Sequence, residues 1–445
     1  MSGLPGACSA ASASNVVDGL HRLMDHFGLV FAASDWIVPP EGAWTFIGDL
    51  NPQRAVGVTV TTTSPSPHAQ ALRHRLAEQL ARGGYLRDPA WLDAFRAVPR
   101  EAFLSHFAVP SPDGDHRVWD LGDVAARDDA LAAVYTDTPL LTQRDAEGSA
   151  TSSSTAPSLM ALMLEALQVR DGMNVLEIGT GTGYNAALLA HRLGSDRVTS
   201  IDVDPGLVDT ARRSLERAGY RPAAVCGDGA AGFSPRAPYD RLIATCGVAR
   251  IPESWLRQVR PGGVILASVG FGLVRLTVSQ PGGPASGPFL DYASFTPIRR
   301  TTEQVSPTTR DDLALADGNG ATRRVPFPGW EVLEERMVVF LRSVAMPGVR
   351  QVTLDSRAGK EYVLADHVTG SWARVRQNHE DEAQAVENGP RRLWDELCVV
   401  AESWLAAGRP PLASYGLEVG SDGRHELWWE SSGGRRVSTF PLPPA

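Results

Sequence analysis

Apolar residues first recur at helical spacing from His68, where Leu72, Leu76 and Leu80 share one face and Gly83 and Gly84 supply a stop. A second helix is predicted around Trp91 to Phe95, followed by a loop-rich stretch to about Gly148. Residues Thr151 to Thr155 all carry hydroxyls and stand just before Pro157. Leu159, Leu162, Met163, Ala166 and Leu167 then recur as one amphipathic face, which predicts a helix with the hydroxyl cluster at its N-terminus. Between Asn174 and Val269 the rhythm alternates. Strands are predicted at Val175 to Ile178, Val198 to Ile201, Ala223 to Val225, Arg241 to Ala244 and Val264 to Val269. The helices between them fall near Tyr184 to Leu193, Leu207 to Ala218 and Glu253 to Val259. This alternation predicts a doubly wound α/β fold with a parallel sheet, in which ligands lie beyond the carboxyl ends of the strands.

The flanks read differently. The turn-rich TTTSPSP (Thr61 to Pro67) sets off residues 1–67 as an N-terminal extension of unknown role. Leu20, Leu23, Met24 and Phe27 there predict a short helix, and Asp35 to Leu50 one or two strands. An α/β unit is expected over 68–300. A polar linker over 301–320 leads to a C-terminal α+β domain over 321–445. Its predicted elements are strands at Met337 to Leu341, Val352 to Leu354 and Tyr362 to Leu364, a helix from Pro390 to Ala407, and a hairpin from Gly416 to Trp429.

Composition narrows the class of protein. The chain has 445 residues, 43% of them hydrophobic, enough for two or three packed cores. The net charge of -9, with no run of like charge, speaks against nucleic acid as a partner. Cys8, Cys226, Cys246 and Cys398 form no CxxC pair, so no zinc or other metal site and no disulfide framework is expected. No apolar run approaches about 18 residues and Met1 to Ser14 lacks signal-peptide character, so a cytoplasmic protein without a membrane partner is expected.

Candidate chemistry gathers at three predicted strand ends. After the first, Glu177-Ile178-Gly179-Thr180-Gly181-Thr182-Gly183-Tyr184 places glycines at alternate positions, letting the backbone turn sharply and approach a ligand. The spacing is GxGxG, which disfavours a dinucleotide pyrophosphate site. Asp202 ends the second strand, where a carboxylate accepts hydrogen bonds from ribose hydroxyls. Gly227-Asp228-Gly229 follows the third, with Asp228 within reach of an adenine amino group. As isolated signals these are a tight turn, a helix cap and a loop; at successive strand ends they describe an adenosine cradle.

The segments VLEIGTGTGY (Val175 to Tyr184), SID (Ser200 to Asp202), GDG (Gly227 to Gly229), APYDRLIATCG (Ala237 to Gly247), IPESWLRQVRPGG (Ile251 to Gly263) and ASFTPI (Ala293 to Ile298) resemble the protein-L-isoaspartate O-methyltransferase family. FRAVPREAF (Phe95 to Phe103) and Ser152 to Met160 also match, and the resemblance spans about Ala69 to Arg300. It implies a class I, Rossmann-like methyltransferase sheet with S-adenosyl-L-methionine as cofactor. The implied cofactor-binding positions are Glu177, Gly179, Thr180, Gly181, Gly183, Tyr184, Asp202, Val203, Asp228, Gly229, Thr245 and Cys246, the last as pocket wall. A Ser or Thr of the family contacts the acceptor carboxylate. Thr155 matches that position best, then Ser154, with Ser153 and Ser152 in the same cluster; as residues alone the cluster reads equally as a helix cap.

A carboxylate with an ordinary pKa of about 3.9 is ionised at neutral pH, so methylating it requires no general base. Accordingly the ten histidines show no motif pairing with acids, and the Asn/Asp-Pro-Pro-Tyr signature of amino-group methyltransferases is absent after Ala244. Three functions stay open. One is methylation of an aspartate in a ribosomally made modified peptide (a lanthipeptide or ATP-grasp-ligated peptide), giving an ester that closes to aspartimide. Another is repair of isoaspartyl residues in damaged proteins, and the third is a non-catalytic peptide-binding module. Arg392 to Trp429 resembles the tail of the peptide-tailoring methyltransferases, which implies the first. Oligomeric state is not legible.

Overall fold

The computed structural model describes residues 66–441 apart from 111–115, 147, 305, 357–358, 380–381, 432–433 and 435. The elements expected before residue 66 lie outside the described residues. Helices α1 (Pro67–Arg82) and α2 (Pro89–Ala97) bury the predicted stripe Leu72, Leu76 and Leu80, and α2 starts where the Asp88 carboxylate accepts the Ala90 N–H. A 3-10 turn, Arg100–Phe103, leads into a four-stranded antiparallel sheet. Its strands are β1 (His106–Pro110), β2 (His116–Asp120), β3 (Leu140–Arg144) and β4 (Ala150–Ser154), in the order β2-β1-β3-β4, with α3 (Arg127–Val134) between β2 and β3. The predicted loop region thus contains three strands of five residues each, too short for a clear alternation to emerge.

The hydroxyl cluster lies on a strand, not at the helix N-terminus its sequence predicts. Thr151 to Ser154 belong to edge strand β4 rather than to the first turn of a helix. Helix α4 (Pro157–Leu167) has Ala156 as its N-cap and receives no side-chain cap. The physical reason is ladder pairing: Ser154, Ser153 and Ser152 stand opposite Leu140, Leu141 and Gln143 of β3.

The alternating section forms β5 (Val175–Ile178), α5 (Tyr184–Leu193), β6 (Val198–Asp202), α6 (Pro205–Arg217), β7 (Ala223–Cys226), β8 (Tyr239–Val248), α7 (Glu253–Gln258) and β9 (Val259–Val269). Strands β7-β6-β5-β8-β9 run parallel, as expected, and successive residues of each strand enter opposite cores. Leu242 and Ala244 face α7 and the C-terminal part, while Ile243 faces α4 and α5. Strands β10 (Gly272–Val278) and β11 (Ala285–Tyr292) then continue the sheet antiparallel.

The C-terminal part comprises α8 (Thr309–Ala316), β12 (Ala321–Pro326), α9 (Trp330–Leu333), α10 (Arg336–Ala345), β13 (Arg350–Ser356), β14 (Gly359–Asp366), β15 (Ser371–His379), β16 (Glu382–Asn388), α11 (Leu393–Ala406), β17 (Tyr415–Val419), β18 (His425–Glu430) and β19 (Arg436–Pro441). Strands β12 to β16 form a separate five-stranded sheet. Strands β17 to β19 instead complete the central one, which has ten strands in the order β19-β18-β17-β11-β10-β9-β8-β5-β6-β7. The boundary expected at 301–320 is thus crossed by the sheet itself. One core joins Trp255 and Val274 of the catalytic section to Phe340, Trp394 and Leu397. Phe340 packs edge-on against Phe289 with centroids 4.8 Å apart, and Gly272 makes room, since a Cβ there would lie 2.5 Å from the Phe340 ring. Met337 to Leu341 is helix rather than strand; its apolar run is continuous, and the helical burial of Met337, Val338, Phe340, Leu341 and Val344 settles the period. Among the described residues no helix is long and apolar enough to cross a membrane.

Candidate active site

Strand β5 has β6 on one side and β8 on the other, so chain connections leave it in opposite directions, the point at which doubly wound sheets open a ligand crevice. A cleft lies there. Residues 177–182, 201–203, Gly229, Thr245 and Cys246 form its sheet wall, residues 151–156 the facing wall, and 294–299 a third.

The glycine turn is fixed by close contacts. Gly179 has φ +96° and donates its N–H to Ile201 O at 2.8 Å, while Thr245 Oγ1 donates to Gly179 O at 2.8 Å. A Cβ on Gly179 would lie 2.8 Å from that hydroxyl, so both conformation and space require glycine. Gly181, with φ +49°, faces β4: a Cβ there would lie 3.6 Å from Ser152 Oγ. Gly183 caps α5 and does not line the cleft; a Cβ there would press on Ala211 at 3.1 Å, so its role is packing against α6.

Two carboxylates carry the electrostatics. Glu177 is 0% exposed, accepts Asn185 Nδ2 at 2.7 Å and Ser200 Oγ at 2.6 Å, and is pushed up to about 7 by burial, against the pull of those donors. Asp202 is also raised by burial, offset by the Gly181 N–H at 2.9 Å, the Asp204 N–H at 3.2 Å and the charge of Arg299. A carboxylate offers about four lone-pair sites, so Asp202 retains acceptor capacity toward the cleft. The Asn185 Oδ1 atom is buried with no hydrogen-bond partner among the described residues.

The remaining expected positions separate. Val203, Gly229, Thr245 and Cys246 reach the cleft, and Tyr184 closes its floor with its ring edge-on to Phe95 and Phe103. Thr180 Oγ1 spends itself on Ser200 Oγ at 2.6 Å. Asp228 is not among the lining residues; its carboxylate accepts the Ala230 N–H at 2.8 Å and caps a short turn. Burial pushes the Cys246 thiol up to about 12, with Asp202 adding to the effect, so it stays protonated as wall.

On β4 the side chains alternate. Ser152 and Ser154 are buried; Ser152 Oγ accepts from Thr142 Oγ1 at 3.1 Å and Ser154 Oγ from Arg100 Nε at 3.2 Å. Ser153 and Thr155 are partly exposed, line the cleft, and show no hydroxyl hydrogen bond among the described residues. All four hydroxyls line the cleft: Ser152 and Ser154 are buried acceptors that keep their own O–H to donate, while Ser153 and Thr155 are partly exposed.

Sequence reasoning assigned no role to Arg100, Asn185 or the strap 294–299. The strap is held by Gly247 N–H to Thr296 O at 2.9 Å and Ile298 N–H to Gly247 O at 2.8 Å, and it brings Arg299, the one cationic side chain among the cleft-lining residues. The segments FRAVPREAF and ASFTPI marked two of these places without indicating what their side chains do.

A parallel sheet with glycine turn, strand-end acid and facing strand at its switch point defines a class I methyltransferase fold. The model of the Protein-L-isoaspartate(D-aspartate) O-methyltransferase (PCMT) family matches residues 126–280. The protein-L-isoaspartate O-methyltransferase of Thermococcus onnurineus is 37% identical over 204 residues, 45% of this chain and 80% of that protein. The corresponding protein of Ignicoccus hospitalis is 33% identical over 232 residues, 51% of this chain and 96% of its own. A solved protein-L-isoaspartate O-methyltransferase aligns with 80% of this chain and 98% of its own at 22% identity and a TM-score of 0.46. The chain belongs to the protein-L-isoaspartate O-methyltransferase family. It is an enzyme of the carboxyl O-methyltransferase class.

Proposed function

We propose that this enzyme methylates the side-chain carboxylate of an aspartate in a ribosomally made modified peptide, and that the methyl ester then collapses to an aspartimide. Its cofactor is S-adenosyl-L-methionine, which supplies an electrophilic methyl group on sulfur. The residues present suit it. Asp202 has spare acceptor sites for ribose hydroxyls, the orphaned Asn185 Oδ1 beside Glu177 suits an amino group, and bare backbone at Gly179 and Gly181 permits close approach.

The acceptor carboxylate sits against Ser153 and Thr155, whose uncommitted hydroxyls donate to one oxygen and aim the other at the methyl group. Orientation and exclusion of water then lower the barrier without a base. In the transfer the methyl–sulfur bond breaks as an O–CH3 bond forms. The next backbone nitrogen subsequently attacks the ester carbonyl, and methanol leaves with the amide proton as the five-membered ring closes.

The observation that carries the peptide reading is the fused C-terminal part. Strands β17 to β19 extend the catalytic sheet and share its core, yet they lie beyond the family match at 126–280. A repair enzyme needs only exposed isoaspartate, whereas a dedicated recognition part suits one peptide; the resemblance of Arg392 to Trp429 to tailoring enzymes supports the same reading.

The test is mass spectrometry on two acceptors, an isoaspartyl peptide and the precursor peptide encoded beside the gene, linear and cyclised. Gain of one methyl on the precursor, followed by net loss of one water, is expected. Methylation of the isoaspartyl peptide alone would replace this reading with repair.

A further inference from the structure

Thr155 stands between two regular elements. Strand β4 ends at Ser154 and helix α4 begins at Pro157, so no ladder or helical bond fixes the Thr155 carbonyl. That carbonyl is held by Arg100, whose Nη2 donates to Thr155 O at 3.0 Å and to Ser154 O at 3.1 Å, while Nε donates to Ser154 Oγ at 3.2 Å. The clamp is anchored to the end of α3 and the loop before β3, through Nη1 to Val134 O at 2.8 Å and Thr136 O at 3.3 Å, with Nη2 also reaching Thr138 O at 3.4 Å.

Arg100 is 0% exposed, and among the described residues its nitrogens meet carbonyls and one hydroxyl but no carboxylate. Burial lowers it to about 10, so it stays charged at neutral pH. A fully buried cation with no carboxylate in hydrogen-bond contact carries a desolvation cost that a well-packed apolar side chain avoids, which the charge of Asp137 offsets only in part. A rigid fork serving several carbonyls at once is what a guanidinium provides and an ammonium does not.

We propose that Arg100 is a positioning residue for methyl transfer: it fixes the Ser154–Thr155 main chain so that the Ser153 and Thr155 hydroxyls meet the acceptor carboxylate in line with the methyl group. The inference rests on the assignment of β4 as the acceptor wall. It requires that Arg100→Lys, which keeps charge but loses the fork, slow the chemical step while cofactor binding persists.

The experiment uses the full chain, S-adenosylhomocysteine titrated by calorimetry, and turnover at saturating acceptor divided by the number of competent cofactor sites. A purely structural arginine would lower the number of sites and leave turnover per site intact. The expected result for Arg100→Lys is turnover per site down about 100-fold, the scale of an approximately 1 Å misplacement, with cofactor Kd within about threefold. Turnover per site within twofold of the parent overturns the proposal.

If Arg100→Lys fails to fold, Ser154→Ala removes the Nε partner. Faster amide hydrogen exchange at Thr155 and Ala156 together with lower turnover is expected. Lower turnover with unchanged exchange assigns the effect to Ser154 itself and overturns the proposal, as does unchanged turnover. Thr155→Ala and Ser153→Ala separate the two levels. If the double variant keeps parental turnover, the acceptor assignment and this inference fall together; if it loses turnover while Arg100→Lys keeps it, only this inference fails.

Discussion

Asp202→Ala removes the acceptor on which the cofactor assignment most depends. In the structure its two oxygens accept the Gly181 and Asp204 N–H groups at 2.9 and 3.2 Å, leaving lone pairs free toward the cleft. A ribose presents two hydroxyls, and hydrogen bonds to a charged group contribute about 1.5–3 kcal/mol each. Losing both, even with partial replacement by water, weakens binding by about 3 kcal/mol, or roughly 100-fold in Kd. The Gly181 N–H also loses its partner, which loosens the turn and adds to the effect in the same direction. Asp202→Asn keeps the shape without the charge and is expected to lose roughly tenfold, at the lower end of the charged-bond range. Isothermal titration with S-adenosylhomocysteine, on variants with parental circular dichroism, provides the measurement. An Asp202→Ala dissociation constant within threefold of the parent refutes the placement of the ribose at β6.

Phe340→Ala tests whether the C-terminal part folds with the catalytic sheet. This ring is 0% exposed against Phe289 and Tyr415, so a loss of about 3–5 kcal/mol is expected in one transition reported alike by near-UV signal and cofactor binding. Separate transitions would contradict the shared core. His425 accepts the Ile251 N–H at Nε2, 2.9 Å away, and burial lowers its pKa below the ordinary 6.5. It therefore stabilises the fold fully above about pH 6.5, and that contribution is lost as pH falls. His425→Gln is expected to flatten the dependence of the urea midpoint below that pH, and an unchanged slope refutes it. Glu177, raised to about 7, ionises across neutrality. Affinity for S-adenosylhomocysteine, whose amino group is cationic, should rise with pH through that range and lose this dependence in Glu177→Gln; equal pH dependence in both proteins contradicts the contact.

The parallel sheet was legible because short segments with apolar residues at β5, β6 and β8 alternate with stretches of helical period, and strands buried on both faces show no clean polar alternation. Asp202 followed from the same fact, since a strand end fixes where its last side chain sits. Residues 151–155 were misassigned because five hydroxyl residues carry no hydrophobic period, and the nearby Pro157 fits a helix start whether or not the cluster belongs to it. Asp228 caps its own turn, its carboxylate accepting the Ala230 N–H two residues on. Arg100 and the union of β11 with β17 rest on contacts 54 residues apart for the Arg100–Ser154 pair and on ladder pairing such as Ala285 with Val419, information that no window of sequence holds.

The central claim is that a carboxylate oxygen receives the methyl group. Its most direct test uses S-adenosylmethionine carrying a labelled methyl group and the cyclised precursor peptide, followed by release of volatile label under mild base. Carboxyl methyl esters hydrolyse to labelled methanol, and ring closure to the aspartimide releases the same product, so nearly all transferred label is expected to become volatile, and none with Asp202→Ala at limiting cofactor. Label that stays on the peptide through base treatment would place the methyl on nitrogen or on an alcohol oxygen, and would contradict the account.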